Sequence, residues 1–225
     1  HRESLHRVSE QDVMAFNSSR MWTVARTDLR QLFQARDFWV PMALLGAFFF
    51  VLVPAFLLGV IDRVGNVVTV RQLSDNLDLL PRATQESIPA GTSPSGRLNY
   101  VLAVYLFAPI AVVVPLTISS AVGASTLVGE RERGTGEFLA HTPTDTREIY
   151  LGKLLASIIP GYLTTVVGFG AYSLLVNTIV GPEMGGWFFP TTEWWLLILW
   201  VLPPFLALTL SLVLRLSARV KSTAA

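Results

Sequence analysis

The sequence contains no cysteine, which excludes both a disulfide framework and a thiolate metal site. Charged residues are also scarce, at 15% of the chain compared with about 25% in soluble proteins. Four stretches hold no Asp, Glu, Lys or Arg at all: Phe38–Ile61, Leu98–Gly129, Leu154–Gly181 and Trp194–Leu214. Each reaches the roughly 20 residues that an apolar helix needs to cross a bilayer. Because one charge near mid-bilayer costs about 3 kcal/mol, these stretches predict an all-α polytopic membrane protein with four transmembrane helices.

The chain also lacks the residues on which ATP hydrolysis depends. A P-loop has the pattern GxxxxGK[ST], and neither lysine fits it, because Lys153 is followed by leucine and Lys221 is preceded by valine. We therefore expect that the chain is not an ATPase and has no catalytic or metal-binding residues. The histidines, His1, His6 and His141, lie outside the charge-free stretches, whose interiors hold no carboxylate. Since proton relays use ionisable residues inside the membrane, an intramembrane enzyme is the least favoured class.

Lysine and arginine are distributed unevenly between the two sides that the spans define. Of the 17 such residues, four lie on one side (Arg63, Arg71, Arg82 and Arg97), and the remaining 13 lie on the side of the N-terminus. Lys and Arg are enriched in cytoplasmic segments, so both termini and the segment between the second and third spans are predicted to be cytoplasmic. We expect a multi-pass protein of a cell membrane, either a prokaryotic inner membrane or a plasma membrane.

The predicted layout alternates apolar spans with polar segments. The cytoplasmic parts are a tail at 1–19, an interfacial helix at 20–37, a loop at 129–153 and a stub at 215–225. The spans are 38–61, 98–128, 154–180 and 194–214, and the extracytoplasmic segments are 62–97 and 181–193. Within the first outer segment, the pattern leaves open whether residues 64–80 form a short strand or an interfacial helix. An aromatic belt at the outer membrane surface is predicted for Trp187, Phe188, Phe189, Trp194 and Trp195.

Residues 20–37 have the pattern of an amphipathic helix. Its apolar stripe consists of Trp22, Ala25, Leu29, Leu32 and Phe33. Arg26 and Arg30 lie off this stripe, and Ser18 or Ser19 is predicted to cap the first turn. A basic amphipathic helix directly before a span is typical of a helix in the inner headgroup layer. The alternative is a helix of a cytosolic bundle.

Small and hydroxyl-bearing side chains recur in the second and third spans. Gly152, Ala156 and Pro160 form an edge with a spacing of four residues, at which helices can approach closely. The residues considered as lining of a transport path are Thr117, Ser119, Ser120, Thr164 and Thr165. The alternative role of these hydroxyls is ordinary hydrogen bonding between helices, worth about 0.6 kcal/mol per contact. In the fourth span, Pro203-Pro204 predicts a kink.

The long charged segment between two apolar runs is Gly129–Lys153, here named the central loop, which reads GERERGTGEFLAHTPTDTREIYLGK. Gly134 is predicted to break the preceding helix, Thr135–His141 can form a short helix, and Thr142-Pro143 ends it. Asp145 would cap the next helix, with Glu148 in the capping-box position. On the residues alone, a surface that contacts a soluble partner and a solvated loop with good caps are equally favoured.

Several positions of the central loop resemble the cytoplasmic loop of type-2 ABC exporter permeases. They are Glu130-Arg131-Glu132, Gly134-Thr135, Glu137, Leu139, Thr142-Pro143, Glu148-Ile149 and Gly152-Lys153. In that family, the loop carries the coupling helix that sits in a groove of the ATP-binding subunit. The resemblance implies that partner coupling involves Glu130, Glu132, Gly134, Thr135, Glu137, Phe138, Leu139, Thr142 and Pro143. The helix at 20–37 similarly resembles the interfacial elbow helix of the family.

The resemblance also implies a function and a set of partners. The chain would be the permease subunit of an ATP-driven exporter, forming the translocation path and coupling it to a separate ABC ATP-binding subunit that binds ATP and Mg. The other implied partners are a second permease copy or related permease and membrane lipid, with no nucleic acid. Permeases of this family commonly have six spans, so the four spans are expected to be part of a six-span fold. The competing hypothesis is a non-transporting membrane assembly or scaffold protein that binds a cytosolic partner.

Overall fold

The computed structural model describes residues 17–65, 67–79, 81–132 and 146–219. Side chains are described in these ranges except at 126–132, 146 and 216–219. Helices account for 86% of the described residues, and this part of the chain contains no strand. The predicted all-α class is therefore confirmed.

Four helices are long and apolar enough to cross a membrane: Arg36–Arg63, Pro94–Ser125, Arg147–Ile179 and Thr192–Arg215. Their ends lie within four residues of the predicted ends, except that the third helix begins seven residues earlier than predicted. The four helices are called the first to fourth spans below. The shortest has 24 residues, which at 1.5 Å per residue gives about 36 Å, more than the roughly 30 Å of a hydrocarbon core. The prediction of a polytopic membrane protein is confirmed.

The helices of the second and third spans continue beyond the apolar windows. The α-helix of the second span runs over Ile110–Glu132, after a shorter helix at Pro94–Val101, and the helix of the third span runs over Thr146–Ile179. The connection between the third and fourth spans contains one short helix, Gly181–Met184. The fourth span begins with Thr192–Leu196 and continues as Leu202–Arg219.

Three of the spans contain a π-helical turn shortly before a proline. These turns are Phe48–Leu52, Leu102–Leu106 and Leu197–Val201, and they precede Pro54, Pro109 and Pro203. Proline has no N–H to donate to the preceding turn, and a π-turn redistributes the hydrogen bonds of the helix around such a break. At Pro203-Pro204, where the sequence predicts a kink, the π-turn lies directly upstream.

The amphipathic helix predicted at 20–37 is Ser18–Gln34, named the elbow helix from here on. Its N-cap is Asn17, whose side-chain oxygen accepts the N–H of Ser19 at 2.9 Å. The prediction of Ser18 or Ser19 as the cap is wrong, because the helix begins at Ser18 and the asparagine directly ahead of it is an equally good capping residue.

The described residues between the first and second spans form helices. Of the two alternatives left open for residues 64–80, the structure therefore has the helix and not the strand. This segment forms a helix at Val68–Asn76, a 3-10 turn at Leu77–Leu79 and a helix at Arg82–Glu86. Val70 and Ser74, one turn apart, are buried. The guanidinium of Arg97 pairs with the carboxylate of Asp78 at 2.6 Å, which ties this segment to the start of the second span.

The chain divides into two compact units, and both are assembled from separate segments of sequence. The first unit comprises the chain up to Pro41, Leu116–Tyr162, and Pro204 onwards, and the second comprises Met42–Pro115 and Leu163–Pro203. In the first unit, Leu154 of the third span packs with Leu210 and Leu214 of the fourth. The hydroxyl of Tyr150 donates to the carbonyl of Ser211 at 3.3 Å, which adds a polar contact to this small apolar core.

The second unit has an aromatic core built from Phe169, Tyr172, Phe189 and Trp194. Ring centroids within this group are 5.1 to 6.1 Å apart, in stacked, tilted and edge-on arrangements, the distances at which aromatic pairs stabilise each other. Phe189 is 0% and Trp194 is 2% exposed. The prediction that these two residues belong to a surface aromatic belt is therefore wrong, since they pack in the core, whereas Trp187 and Trp195 are exposed.

The polar atoms of this core complete the π-turn of the second span. The N–H groups of Phe107 and Ala108 bind the carbonyls of Leu102 and Tyr105, so they do not reach the carbonyls of Ala103 and Val104 as they would in a continuous α-helix. Two side-chain donors bind these two carbonyls in place of the backbone N–H groups. The hydroxyl of Tyr172 donates to the Ala103 carbonyl at 2.7 Å, and Nε1 of Trp194 donates to the Val104 carbonyl at 2.8 Å.

Candidate functional site

In the first unit, the elbow helix packs closely on the first turns of the third span. A Cβ placed on Gly152 would lie 2.9 Å from the carbonyl oxygen of Met21 and 2.9 Å from the Cβ of Val24, closer than real Cβ atoms come. The small-residue edge predicted in the third span is thus confirmed as a close-approach site at Gly152. Ala156, one turn further, is fully buried.

Glu148 lies one turn before Gly152 and is 0% exposed. Its Oε1 accepts the backbone N–H of Asn17 at 2.5 Å, while Oε2 has no hydrogen-bond partner among the described residues. A buried carboxylate needs donors to offset its lost hydration, and a position in the first turn of a helix adds the favourable field of the helix dipole. Glu148 therefore joins the N-cap of the elbow helix to the first turn of the third span. The capping box predicted between Asp145 and Glu148 stays a prediction, because Asp145 lies outside the described residues.

The contacts between these two helices share one register. Asn17 meets Glu148, and four residues later Met21 meets Gly152, so the two helices run in the same direction over this turn. The 34 residues of Thr146–Ile179 span about 51 Å, some 20 Å more than a hydrocarbon core of roughly 30 Å. The charged residues of this helix are confined to its first turns, so these turns, where the elbow helix docks, are the part that extends beyond the apolar layer.

Most of the residues predicted to couple the chain to a partner lie outside the described residues. These are Gly134, Thr135, Glu137, Phe138, Leu139, Thr142 and Pro143. Glu130 and Glu132 occupy the last turn of the helix Ile110–Glu132, where the backbone is described and the side chains are not. Both described ends of the central loop belong to the first unit, as does the elbow helix.

The five hydroxyl residues considered as path lining differ in exposure. On the second span, Thr117 is exposed and Ser120 is half-buried, whereas Ser119 is fully buried. On the third span, Thr165 is fully buried and Thr164 is half-buried. The methyl group of Thr164 lies 2.7 Å from the place that a Cβ on Gly46 would occupy, so Thr164 packs directly against the backbone of the first span.

The exposed face around Thr117 and Ser120 consists of small side chains. Ala121, Ala124 and Ser125, the next residues on this side of the helix, are also exposed. Small and hydroxyl-bearing residues let another helix approach closely and can hydrogen-bond to it. This face therefore differs from the leucine- and valine-rich surface that the spans present elsewhere, as at Leu163, Val166, Val167, Leu196 and Leu199.

The second unit contains a polar cluster that sequence reasoning missed. Oε2 of Glu183, in the short helix Gly181–Met184, accepts the N–H of Ser93 at 3.1 Å and its hydroxyl at 2.6 Å. Ser93 is the N-cap of the helix Pro94–Val101, and its Oγ accepts the N–H of Gly96 at 3.0 Å. The carboxylate occupies the space that a side chain at Gly96 would need. Ser93 and Glu183 are 90 residues apart in the chain, so no local pattern identifies the pair.

Asn177, on the third span, binds the backbone of the connection between the third and fourth spans. Its Oδ1 accepts the N–H groups of Phe188 and Phe189 at 2.9 and 3.0 Å, and its Nδ2 donates to the Phe189 carbonyl at 2.6 Å. One amide thus satisfies three backbone groups of a segment that has no regular structure. This role also depends on contacts that no spacing in the sequence predicts.

In the part of the chain that the structure describes, these arrangements join helices to one another and to loops. Among the described residues, no group of three or more His, Asp or Glu side chains is placed to hold a metal ion. Among the buried polar side chains described above, Glu148 binds the start of the elbow helix, Tyr172 and Trp194 complete a π-turn, and Asn177 holds a loop. The first unit has a helix pair at one described end of the central loop and an exposed face of small residues on the second span.

A family described as ABC-2 family transporter protein matches residues 22–225. Comparisons with curated proteins and with solved structures gave no match. The matched range begins inside the elbow helix and includes all four spans and the central loop. Since it covers most of a chain with this all-helical membrane architecture, the protein belongs to the ABC-2 family of transporter proteins and is a membrane-spanning permease component.

Proposed function

We propose that the chain is the permease subunit of an ATP-driven exporter, which forms the translocation path and is driven by a separate ABC ATP-binding subunit. The family match over residues 22–225 carries this proposal, together with the lack of a P-loop in the sequence. ATP and Mg²⁺ would be bound by the partner. The permease would contribute the membrane path and the surface that receives the partner's motion.

The orientation we propose places the N-terminus and the central loop in the cytoplasm. It is supported by the distribution of Lys and Arg, 13 of the 17 lying on that side. The same side then holds the protruding turns of the third span and the elbow helix, within reach of a soluble partner. The segments 62–97 and 181–193 would face the other side, in a prokaryotic inner membrane or a plasma membrane.

The elbow helix has two apolar faces with different proposed contacts. Val24 and Ala25 face the third span. Trp22 and Phe33, with Arg26 beside them, are exposed, and we assign this second face to the inner headgroup layer. Trp is favoured at the membrane interface, and each Arg near anionic lipid contributes about 1 kcal/mol.

Coupling in this proposal is mechanical. ATP closes two ATP-binding subunits, the central loop of each permease follows, and the spans rearrange to open the path to the other side. The coupling residues would be Glu130, Glu132, Gly134, Thr135, Glu137, Phe138, Leu139, Thr142 and Pro143. A pair of permeases, either two copies or two related chains, would complete the assembly.

For the path, we assign the lining role to the exposed Thr117 and to the half-buried Ser120, which lies on the same face of the second span. The fully buried Ser119 and Thr165 fit the alternative role of packing and hydrogen bonding between helices, and Thr164 fits it through its contact with Gly46. Replacing Thr117 with valine keeps the shape of the side chain and removes its hydroxyl. It should alter transport with little change in unfolding, whereas Thr165→Val should mainly affect unfolding.

The experiment that tests the proposed function is purification of the tagged chain from its own membranes in mild detergent. We expect a stoichiometric partner that carries a P-loop and hydrolyses ATP. Glu132→Ala and Gly134→Val should reach the membrane at normal levels but weaken retention of this partner or its ATPase stimulation. Glu86→Ala, an exposed glutamate of the outer segment, is the control. A chain that purifies without any nucleotide-binding partner would support the scaffold hypothesis instead.

A further inference from the structure

Glu148 combines features that simple helix packing does not require. It is a glutamate on the protruding end of the third span, where the neighbouring Arg147 is exposed, yet it is 0% exposed. It also lies three residues after residues 133–145, the undescribed part of the central loop, which is named the coupling segment here. Its carboxylate therefore lies where the coupling segment joins the membrane helix.

The partner of this carboxylate is the backbone of another element. Oε1 accepts the N–H of Asn17 at 2.5 Å, and Asn17 is the residue that caps the elbow helix through its own side chain. The first N–H groups of a helix have no partners within it. A carboxylate from the first turn of one helix that binds the cap of a second helix fixes the relative position of both helix starts.

A second contact one turn away makes this junction stiff. At Gly152 the backbone of the elbow helix, at Met21, approaches so closely that a side chain would not fit. The two contacts have the same register, so a displacement of the first turn of the third span along its axis would carry the elbow helix with it. A hydrogen bond alone would allow the two helices to pivot, and a glycine contact alone would allow them to slide.

We propose that Glu148 is a positioning residue that links the elbow helix to the first turn of the third span, so that these two helix starts move as one body when the ATP-binding subunit acts on the central loop. The inference rests on the proposed function and adds a residue to it. Through this link, motion of the partner reaches the interfacial helix and the start of the first span, Arg36, which follows the elbow helix after a single residue. The first and third spans would then be driven together.

The absence of cysteine from the sequence allows a clean test with one reporter. Thr27 is exposed on the elbow helix, so Thr27→Cys can carry an environment-sensitive fluorophore without touching the junction. The labelled chain is assembled with its ATP-binding subunit in lipid nanodiscs, and the fluorescence change on adding a non-hydrolysable ATP analogue is recorded, together with ATPase and partner retention.

The variants separate the hydrogen bond from the charge. Glu148→Leu removes the acceptor, and Glu148→Gln keeps an acceptor oxygen without the charge. Glu193→Leu is the matched control, because Glu193 is also a first-turn glutamate but is exposed and lies in the second unit. We expect Glu148→Leu to retain the partner while the reporter response falls about fivefold or more, and Glu148→Gln and Glu193→Leu to stay within about twofold of the parent.

A second pair of variants covers the case in which Glu148→Leu does not assemble. Asn17→Pro removes the donor N–H and leaves Glu148 in place, and the shift of φ from −117° toward proline's about −65° falls just ahead of the helix, which begins at Ser18. Asn17→Ala removes only the side-chain cap. The inference requires that the proline variant lose the reporter response and that the alanine variant keep it. Equal responses in the two variants, or a parent-like response in Glu148→Leu, would overturn it.

The outcome for the parent protein distinguishes this inference from the proposed function. If the parent binds an ATP-hydrolysing partner but its Thr27 reporter does not respond to nucleotide, the link is wrong and the permease function stands. If the parent binds no such partner, the proposed function fails, and the inference fails with it.

Discussion

The two units of the molecule are held together by different kinds of contact. In the second unit, four buried aromatic rings pack around a π-turn, and the donors of Tyr172 and Trp194 satisfy its carbonyls. In the first unit, the described contacts include a small leucine core, the hydrogen bond between Tyr150 and Ser211, the close approach at Gly152 and the hydrogen bond of Glu148. A close-packed core with satisfied polar groups resists rearrangement, whereas the contacts of Glu148 and Gly152 join the starts of two helices to each other.

This difference fits the division of labour in a coupled transporter. In the proposed function, the unit next to the central loop responds to a partner, and the junction of the elbow helix with the third span transmits that motion. The second unit binds the connection between the third and fourth spans at Glu183 and Asn177 and fills its centre with rings. We therefore expect substitutions in the second unit to act mainly on stability, and substitutions at the junction of the first unit to act on coupling.

The largest effect is expected from Trp194→Ala in the aromatic core. The change removes a side chain that is 2% exposed and leaves the Val104 carbonyl without its donor, so the free energy of unfolding should fall by about 3–5 kcal/mol. Thermal unfolding in detergent measures it. Trp200→Ala is the control on the same helix, because Trp200 is 78% exposed and its loss should change unfolding much less. Similar losses for both tryptophans would mean that the aromatic core is not what stabilises the second unit.

A smaller effect is expected from Gly152→Ala at the helix junction. The added methyl group would collide with the Met21 carbonyl and the side chain of Val24, which should cost about 1–3 kcal/mol and detach the elbow helix locally. Limited proteolysis near the elbow helix should then accelerate. Gly170→Ala is the control in the same span, since a methyl group there meets nothing within 4 Å, and it should be neutral or stabilising by up to about 1 kcal/mol. If the two glycines respond alike, the junction is not closely packed.

The smallest effect is expected from the ion pair of Arg97 and Asp78. The aspartate side chain is 66% exposed, and exposed pairs contribute between about 0 and 1 kcal/mol. Arg97→Gln, Asp78→Asn and the double variant form a thermodynamic cycle, measured by unfolding at low and high salt. The coupling should be small and should vanish at high salt. A coupling well above 1 kcal/mol that persists in salt would show that polar contacts, as well as rings, stabilise the second unit.

The spans and the elbow helix were predictable because they depend on local properties of the sequence. Charge-free stretches of about 20 residues mark the four spans, and the spacing from Trp22 to Phe33 marks the amphipathic helix. Gly152 was predictable as a close-approach site from its small size and its spacing to Ala156. In each case a short window of sequence contains the physical cause.

The functional contacts were not predictable because their partners are distant in the chain. Glu148 is 131 residues from Asn17, and its sequence context suggested a local capping box. Trp194 lies beside other aromatic residues near a membrane boundary, which is the pattern of a surface belt, but the π-turn at Leu102–Leu106 provides a buried acceptor for its N–H. Only the packing of the helices brings these groups together.

The measurement that most directly tests the assignment of the two units to different roles is the sidedness of single cysteines. Thr135→Cys in the coupling segment and Ser19→Cys, exposed at the start of the elbow helix, should be protected from a membrane-impermeant thiol reagent in intact cells and react after the membrane is opened. Leu79→Cys, at a position that is 87% exposed in the second unit, should react in intact cells. Labelling of Thr135→Cys from outside, or protection of Leu79→Cys until the membrane is opened, would contradict both the topology and the coupling role of the first unit.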